Sequence, residues 1–294
     1  MREAANAEVL ENGRERLILS IALPGGPFHG DYFLIPKLAP HVDWFNIMAY
    51  NLHGQWEKQV FCAAPLHDPA AKTEYNGYSL IHAIESMAPK TVSPQKFNLG
   101  LSLSGVTFTL KDKSLTEPGA PAQGPGNKGC QEQGAMSYFE ATKLMDLLGA
   151  KSQAVDVYQR KITQAPKLDE QSQCMYMVVN EDQWVGFDTP ETFAYKVDYF
   201  HNFGFGGVSI WSMDSDTKDH RLTRSIFETI HGKGNKTVTS GPNNTGKVVD
   251  RLPGADRPKS ISKNAAGTGL DAISFVFTTA AAIALVSTIS ALLA

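Results

Sequence analysis

One apolar run is followed closely by side chains that could bind a ligand, at Tyr50, Asn51, His53 and Trp56. The run itself, residues 44–48, reads Trp-Phe-Asn-Ile-Met and suits a buried parallel strand. A phenol, an amide, an imidazole and an indole can exchange hydrogen bonds with a ligand and stack on its flat face. Binding groups at the carboxyl end of a strand are typical of a (β/α)8 barrel, although a core strand with an ordinary loop is an alternative.

The elements that position these groups alternate along the chain. Apolar runs predict strands over 17–23, 44–50, 97–103 and 208–211, and helical spacing with start and stop signals predicts helices over 32–38, 80–87, 189–203 and 222–230. Thr189 caps the third of these helices, with Pro190 at its first position. Alternation of strands and helices predicts an α/β fold with a parallel sheet.

The middle of the chain departs from this alternation. Residues 111–130 are rich in Gly, Pro and Lys and predict an exposed loop. A helix over 138–148 and short strands over 154–158 and 175–179 follow, which together predict a small α+β insertion. The sequence leaves the pairing of its cysteines open, and a Cys130–Cys174 disulfide that ties the ends of the insertion is a guess.

Composition excludes several classes of function. The 294 residues carry a net charge of −3 and no long basic run, so nucleic acid is not an expected partner. The three cysteines have no CxxC spacing, and no paired histidines stand at ligand spacing, so no metal site is expected. The sequence has no P-loop, dinucleotide fingerprint or GxSxG motif, and we expect no cofactor.

The C-terminal part differs from the rest. Residues 232–269 are rich in Gly, Asn, Ser, Thr and Lys, which predicts a disordered stalk with N-glycosylation sequons at Asn235 and Asn243. Residues 270–294 are largely apolar and predict a GPI signal with attachment at Asn264, with Ser260 or Ser262 as alternatives, or else a plain hydrophobic anchoring helix. An extracellular, cell-surface position then requires an N-terminal signal peptide that this sequence does not show.

Three segments resemble glycoside hydrolase family 18, and most closely its fungal chitinases of the class V type. These segments are residues 44–56, 183–188 and 206–214. Residues 19–24 resemble the family's fifth barrel strand, residues 98–101 its seventh, and residues 106–180 are placed like its small α+β domain. The resemblance implies a partial TIM (β/α)8 barrel, about strands five to eight, with that insertion.

The resemblance also divides the chain. Residues 1–105 and 181–231 are the expected barrel parts, and residues 106–180 form the insertion. Residues 232–269 are the linker, and 270–294 the hydrophobic tail. The family's DxxDxDxE motif, whose Glu is the general acid, does not occur in this sequence, which indicates that only the C-terminal part of the barrel is represented.

The resemblance implies a substrate-assisted retaining mechanism on chitin, in which the acetamido oxygen of the substrate attacks the anomeric carbon. The catalytic positions carried over are Tyr50, which bonds that acetamido group, and Asn51, where the family most often has Asp. The implied substrate-binding residues are Met48, His53, Trp56, Trp184 and Trp211. Ser104 and Val106 replace the Tyr and Arg that are usual after the seventh strand, which puts polar contacts there in doubt.

Two functions follow from this resemblance. The first is a surface-anchored chitinase that acts on β-1,4-N-acetylglucosamine polymers, although this chain is expected to be inactive because it lacks the general acid. The second is a non-catalytic chitin- or carbohydrate-binding protein of the cell surface. Both predict chitin or chito-oligosaccharides as partners and contact with a membrane through the C-terminal tail.

Overall fold

The computed structural model describes residues 1–8, 15–26, 32–68, 76–149, 155–232 and 276–277. The helices are α1 (Arg2–Ala7), α2 (Ile35–Leu38), α3 (Leu80–Met87), α4 (Tyr138–Asp146), α5 (Pro190–His201) and α6 (Arg221–His231). The strands are β1 (Ser20–Pro24), β2 (Trp44–Met48), β3 (Phe97–Ser102), β4 (Ser104–Leu110), β5 (Ala122–Pro125), β6 (Ala135–Ser137), β7 (Ile162–Asp169), β8 (Cys174–Val179), β9 (Gln183–Phe187), β10 (Gly207–Trp211) and β11 (Val276–Phe277).

The first sheet is parallel and has the strand order β1-β2-β3-β10-β11. Leu23, Ile47, Leu99 and Val208 stand side by side across its first four strands, and all four are buried. They pack with apolar residues of α3, α5 and α6 in one core cluster. Helices that connect parallel strands and cover one face of the sheet make this part an α/β unit.

The second sheet is antiparallel, with the order β5-β4-β9-β8-β7 and with β6 paired to β4. One face packs against residues 60–63 around Phe108, Tyr176 and Trp184. The other face is covered by α4 through Ala141 and Leu144. Because both faces are covered, the central strands of this sheet, β4, β9 and β8, are buried over most of their length.

Two links join the sheets. A disulfide connects Cys62, in the segment after β2, to Cys174 at the start of β8. Lys196 on α5 is fully buried, and its Nζ lies 2.7 Å from Asp188 Oδ1 and donates to the Ala64 carbonyl at 2.8 Å. The buried ammonium is thus paired and hydrogen-bonded, as a charge removed from water must be.

The disulfide corrects the guess that Cys130 pairs with Cys174. Cys130 carries a free thiol, which donates to Glu140 Oε2 at 2.7 Å. Burial is the first cause that raises the pKa of this thiol, and the Glu140 carboxylate raises it further. Spacing along the chain cannot reveal a pairing across 112 residues.

The predicted strand over 154–158 is also wrong where the structure describes it, because residues 157–158 form a turn and the strand is β7. Two register irregularities flank Gln164, and Pro166 lies close by, so β7 is an interrupted strand at the edge of its sheet. The predicted loop over 111–130 contains β5, another edge strand.

The predicted stalk, both sequons and the Asn264 attachment site lie outside the described residues, apart from Gly232 at the start of the stalk. Of the predicted tail helix, the structure describes Val276 and Phe277, which form β11 beside β10 and not a helix. Pairing with a strand edge satisfies backbone groups that an edge strand leaves open. Among the described segments, no helix is long and apolar enough to cross a bilayer.

Candidate functional site

The candidate site lies at the carboxyl edge of the parallel sheet, where three neighbouring strands end. Met48 is the last residue of β2 and is 37% exposed, and Trp211 is the last residue of β10 and is partly exposed. Ser102 ends β3 between them and is paired with Trp211. Because parallel strands run in one direction, groups that follow their carboxyl ends collect on one side of the sheet.

Tyr50 projects from this edge toward β3. A side chain at Gly100 would place its Cβ 3.0 Å from Tyr50 Cε1 and 2.3 Å from the Ile47 carbonyl oxygen, so the phenol ring packs where position 100 has no side chain. Burial raises the pKa of Tyr50 to about 12. The hydroxyl therefore keeps its proton at neutral pH and can donate a hydrogen bond.

Asn51, the second predicted catalytic residue, is exposed beside Tyr50. Its φ of +51° lies in the left-handed region, which asparagine tolerates better than most residues do. Asn51 therefore turns the chain out of the strand and into the loop that carries His53 and Trp56.

An amide pair on the same face of the sheet as Met48 was not predicted. Asn98 Nδ2 donates to Asn46 Oδ1 at 3.0 Å across β3 and β2, and both residues are buried. Their positions alternate with the apolar residues that face the helices, so this pair lies on the opposite face of the sheet. The signal available in the sequence was that each of these two apolar strands carries an asparagine directly after a phenylalanine.

The loop after β2 presents Trp56 to solvent and buries His53. Trp56 is 65% exposed, and its indole lies so close over Gly54 that a Cβ there would be 2.4 Å from the ring. His53 is 1% exposed, with Nδ1 2.9 Å from Glu57 Oε1. Trp56 is therefore accessible to a ligand, whereas His53 is buried and could not contact a substrate directly, and the binding role of Trp56 remains a prediction.

Trp184, another predicted substrate-binding residue, lies in the core of the antiparallel sheet. It is fully buried between Phe108 and Tyr176, and its Nε1–H donates to the Thr116 carbonyl at 3.0 Å. An indole with both faces and its N–H engaged inside a core cannot stack on a sugar. The geometry therefore gives no support to the prediction that Trp184 binds substrate.

Polar groups also occur beyond the end of β3, where Ser104 and Val106 had left their presence in doubt. Gln131 Nε2 donates to Ser104 Oγ at 2.9 Å and to Ser215 Oγ at 2.7 Å. Ser104 Oγ donates in turn to Ser215 Oγ at 3.0 Å. Gln131 lies between β5 and β6, so the antiparallel region contributes to this side of the edge, which spacing along the chain could not show.

The carboxylates near these strand ends have other partners. Asp188 pairs with Lys196, and Glu57 pairs with His53. Asp216 accepts hydrogen bonds from the backbone N–H groups of Leu222 and Thr223 at the start of α6. Asp214 is exposed and accepts from the Ser212 hydroxyl. None of these four carboxylates is placed beside Tyr50 by a described contact.

The assembled edge offers an aromatic face, a phenol donor and amide groups, with little net charge. Across the described residues, no group of three or more His, Cys, Asp or Glu side chains could hold a metal ion. Stacking surfaces together with neutral hydrogen-bonding groups suit a neutral, polar, ring-shaped ligand.

Known proteins match both the sequence and this fold. Mouse chitotriosidase-1 is 26% identical over 279 residues, which is 92% of this chain and 55% of the relative. Human chitinase-3-like protein 2 is 29% identical over 225 residues, or 74% of this chain and 52% of the relative. The chain thus spans about half the length of these curated relatives.

A solved structure agrees with these relatives. Human YKL-39, described as a pseudo-chitinase with retained chitooligosaccharide binding properties, superposes with a TM-score of 0.67 at 26% identity. The superposition covers 78% of this chain and 62% of YKL-39. The described α/β fold is therefore TIM-barrel-like. The family model "Glycosyl hydrolases family 18" matches residues 1–216, and the chain belongs to that family.

Proposed function

We propose that this chain binds chito-oligosaccharides, chains of β-1,4-linked N-acetylglucosamine, along the carboxyl edge of its parallel sheet. The observation that carries the proposal is that Tyr50, two residues after β2, and Trp211, at the end of β10, lie at the same carboxyl edge, where β2 and β10 are the two neighbours of β3. Neighbouring strands lie about 4.8 Å apart, and the Tyr50 ring packs at Gly100 on β3, the strand next to β10, so one sugar ring could reach both residues.

Each proposed residue has a distinct role in this binding. The indole of Trp211 stacks on the face of a pyranose ring, and Trp56, in the loop after β2, stacks on a neighbouring sugar of the same oligosaccharide. The Tyr50 hydroxyl donates to the acetamido oxygen of the bound sugar, because burial keeps it protonated. Met48 provides an apolar floor beside them.

We further propose that these residues serve the substrate-assisted chemistry of the family, with the matched segments in the places of strands five to eight. Tyr50 would align the acetamido oxygen with the anomeric carbon and stabilise the oxazolinium-like intermediate. Asn51 offers an amide in place of the usual carboxylate, so it stabilises that cation less well. The class V type remains a prediction.

The 294-residue chain alone should not hydrolyse chitin. Its sequence contains no DxxDxDxE motif, and the nearby carboxylates described above are engaged elsewhere. Purified protein mixed with a chromogenic chito-oligosaccharide should therefore release no more product than a buffer blank. Turnover that is lost in the Tyr50→Phe variant would overturn this proposal and require a general acid that we have not identified.

A non-catalytic, carbohydrate-binding protein is the second candidate. The description of human YKL-39 as a pseudo-chitinase that retains oligosaccharide binding favours it. Both candidates predict binding without turnover by this chain, whereas turnover would exclude the non-catalytic candidate.

We also propose that the protein is displayed on the cell surface. The support is in the sequence, in the sequons at Asn235 and Asn243 and in the apolar residues 270–294. Expression of the chain behind a secretion signal, followed by treatment of intact cells with phosphatidylinositol-specific phospholipase C, tests the GPI anchor. Release of the protein supports attachment at Asn264 or a nearby serine, and retention supports an anchoring helix.

Binding is tested by isothermal titration calorimetry with the tetramer of N-acetylglucosamine. The Trp211→Ala variant should bind at least about tenfold more weakly, since the loss of a central aromatic contact typically costs more than 1 kcal/mol. Tyr195→Ala, which removes an aromatic ring that is 40% exposed on α5, is the matched control. Equal affinities for the wild type and the Trp211→Ala variant would contradict the proposed site.

A further inference from the structure

The loop after β2 contains a buried histidine–glutamate pair, His53 and Glu57. His53 and Glu57 are 1% and 4% exposed, and Nδ1 of the imidazole lies 2.9 and 3.1 Å from the two carboxylate oxygens. The imidazole also lies 5.0 Å from the ring of Phe61 and 6.0 Å from that of Tyr78. The imidazole and the carboxylate are therefore buried within a loop, where polar side chains are more often exposed to solvent.

Such burial is costly, since an acidic side chain taken out of water must recover the lost hydration through its partner. What the buried pair provides in exchange is a fixed local backbone conformation. His53 and Glu57 flank Trp56 in the sequence, and a bond between them fixes the short stretch of backbone from which the indole projects. The indole rests directly on Gly54, which lies inside the same stretch.

The rest of the loop is also fixed. The N–H groups of Leu52 and His53 donate to the Ala63 carbonyl at 2.8 and 3.3 Å, and the Glu57 N–H donates to the Gly54 carbonyl at 3.0 Å. Cys62, next to Ala63, is tied to β8 by the disulfide. Residues 52–57, the loop frame, are therefore held at both ends. Trp56 is the large side chain exposed on the outer surface of this frame.

Gln55 connects this frame to the antiparallel region. A Cβ at Gly134 would lie 2.5 Å from Gln55 Oε1 and 2.8 Å from Gln55 Cβ, so the glutamine packs tightly on that glycine. The two neighbours of Trp56 thus contact different parts of the protein: Glu57 contacts His53 within the loop, and Gln55 contacts Gly134 of the antiparallel region. An indole that is 65% exposed is thereby held on a rigid support.

We propose that the buried His53–Glu57 pair positions Trp56, and that it holds the indole in a fixed orientation as a stacking surface for a sugar ring. His53 and Glu57 are positioning residues that do not touch the ligand. The part of this inference that concerns sugar binding rests on the proposed function, whereas the orientation of the indole does not. Fixing a binding side chain in advance lowers the entropy lost on binding.

The test variant is His53→Phe/Glu57→Leu. It replaces both members of the pair, so that neither is left buried without the other and the fold has the best chance to survive. Trp56→Ala is prepared alone and in combination with it. The matched control is His82→Ala, which removes another histidine–carboxylate contact, of 3.3 Å to Asp68, at a histidine that is exposed on α3.

The first readout is the affinity for the N-acetylglucosamine tetramer, measured in the full chain by calorimetry. His53→Phe/Glu57→Leu and Trp56→Ala should each weaken binding by about tenfold, and the combined variant should bind no more weakly than Trp56→Ala alone. His82→Ala should bind as the wild type does. Losses that multiply in the combined variant would overturn the proposal, because the pair would then act independently of Trp56.

The second readout requires no ligand. Protein labelled with 5-fluorotryptophan gives separate fluorine resonances, and the one from Trp56 is assigned by its absence in Trp56→Phe. In the pair variant the Trp56 resonance should shift and sharpen toward that of a mobile indole, while the resonance of buried Trp184 stays in place. An unchanged Trp56 resonance would overturn the proposal.

The two readouts also separate this proposal from the proposed function. If the wild-type protein does not bind the tetramer, the proposed function fails, and the fluorine spectra alone decide whether the pair positions the indole. A further variant, Glu57→Gln, keeps an oxygen that can accept from Nδ1. It should keep the Trp56 resonance of the wild type, and its affinity should lie within about threefold of the wild-type value. Failure of Glu57→Gln to do so would mean that the hydrogen bond is not what holds Trp56.

Discussion

The two sheets of this protein place the same residue type in opposite environments. Trp211 ends a parallel strand and keeps part of its indole open to solvent. Trp184 lies within an antiparallel strand, fully buried, with its N–H bonded to the Thr116 carbonyl. Both were expected to contact substrate, because both occur in segments that resemble the family.

The difference shows that position within a sheet decides what a tryptophan can do. The carboxyl edge of a parallel sheet leaves residues at the strand ends uncovered, whereas a central strand covered on both faces leaves none. The antiparallel sheet uses its aromatic residues for its own core, where Tyr176 stacks on Trp184 at 5.7 Å and Phe108 meets it edge-on at 6.0 Å. The parallel sheet also buries Phe45 and Phe97 in its core, but it leaves Trp211 partly exposed at its carboxyl edge.

The largest expected effect tests this contrast directly. Trp184→Ala should destabilise the protein by about 3–5 kcal/mol, because it leaves a large cavity in a packed core and an unpaired carbonyl. Trp211→Ala should cost less than about 1.5 kcal/mol in stability and act mainly on oligosaccharide affinity. Urea-induced unfolding of both variants is the measurement. Equal losses of stability would contradict the contrast between a tryptophan buried in the core and a tryptophan exposed at the sheet edge.

The link between the two regions should have the next largest effect. Replacing Cys62 and Cys174 by alanine should lower the free energy of unfolding by about 2–4 kcal/mol, because the disulfide closes a long loop in the unfolded chain. Cys130→Ala, which removes the free thiol, is the control. Unfolding in urea should remain a single transition if the sheets form one cooperative unit, and two separate transitions in the double variant would show that they are independent without the disulfide.

Alkaline pH offers a weaker test, which involves both regions. Burial raises the pKa of Tyr50 and that of Tyr138 to about 12, from an ordinary value of 10.0. The folded protein therefore keeps protons that the unfolded chain releases above about pH 10, so stability falls as the pH rises from about 10 to about 12. Denaturant unfolding at several pH values checks this, and Tyr50→Phe should reduce the slope. A stability that does not change across this range would contradict the burial of these phenols.

The smallest expected effect concerns the phenol oxygen alone. Tyr50→Phe keeps the ring beside Gly100 and removes one hydrogen bond, which is worth about 1 kcal/mol, so affinity for the N-acetylglucosamine tetramer should fall by about fivefold. Calorimetry provides the value, with the unfolding free energy at neutral pH as the control for folding. No change in affinity would exclude the hydroxyl from the sugar contact.

The sequence predicted the parallel sheet well because its signals are local. The Leu80–Met87 helix begins at Ser79, whose side chain accepts from the His82 N–H, and the α5 helix begins at the predicted Thr189 cap with Pro190 behind it. Caps and prolines act within a few residues, so they are visible in the sequence. The apolar runs of β2 and β3 are equally local.

The rest depended on contacts between distant residues. Strand β7 carries alternating exposed positions and a proline, so no apolar run marked it. The role of Trp184 depended on which strands cover it, and the partner of Cys174 lies in a loop before the insertion. The burial of His53 depended on Glu57 and on the aromatic rings around it. None of these relations has a signature in spacing.

Gly100 illustrates a further consequence of such relations. It carries no functional group, yet the tyrosine ring and the Ile47 carbonyl both occupy the space that any other residue would fill. A methyl group there would displace the phenol while leaving every proposed sugar-binding residue unchanged in the sequence. A homologue with alanine at this position would thus pass an inventory of active-site residues and still lack the site. When members of this family are sorted into binders and non-binders, glycines behind the site should be compared along with the residues in it.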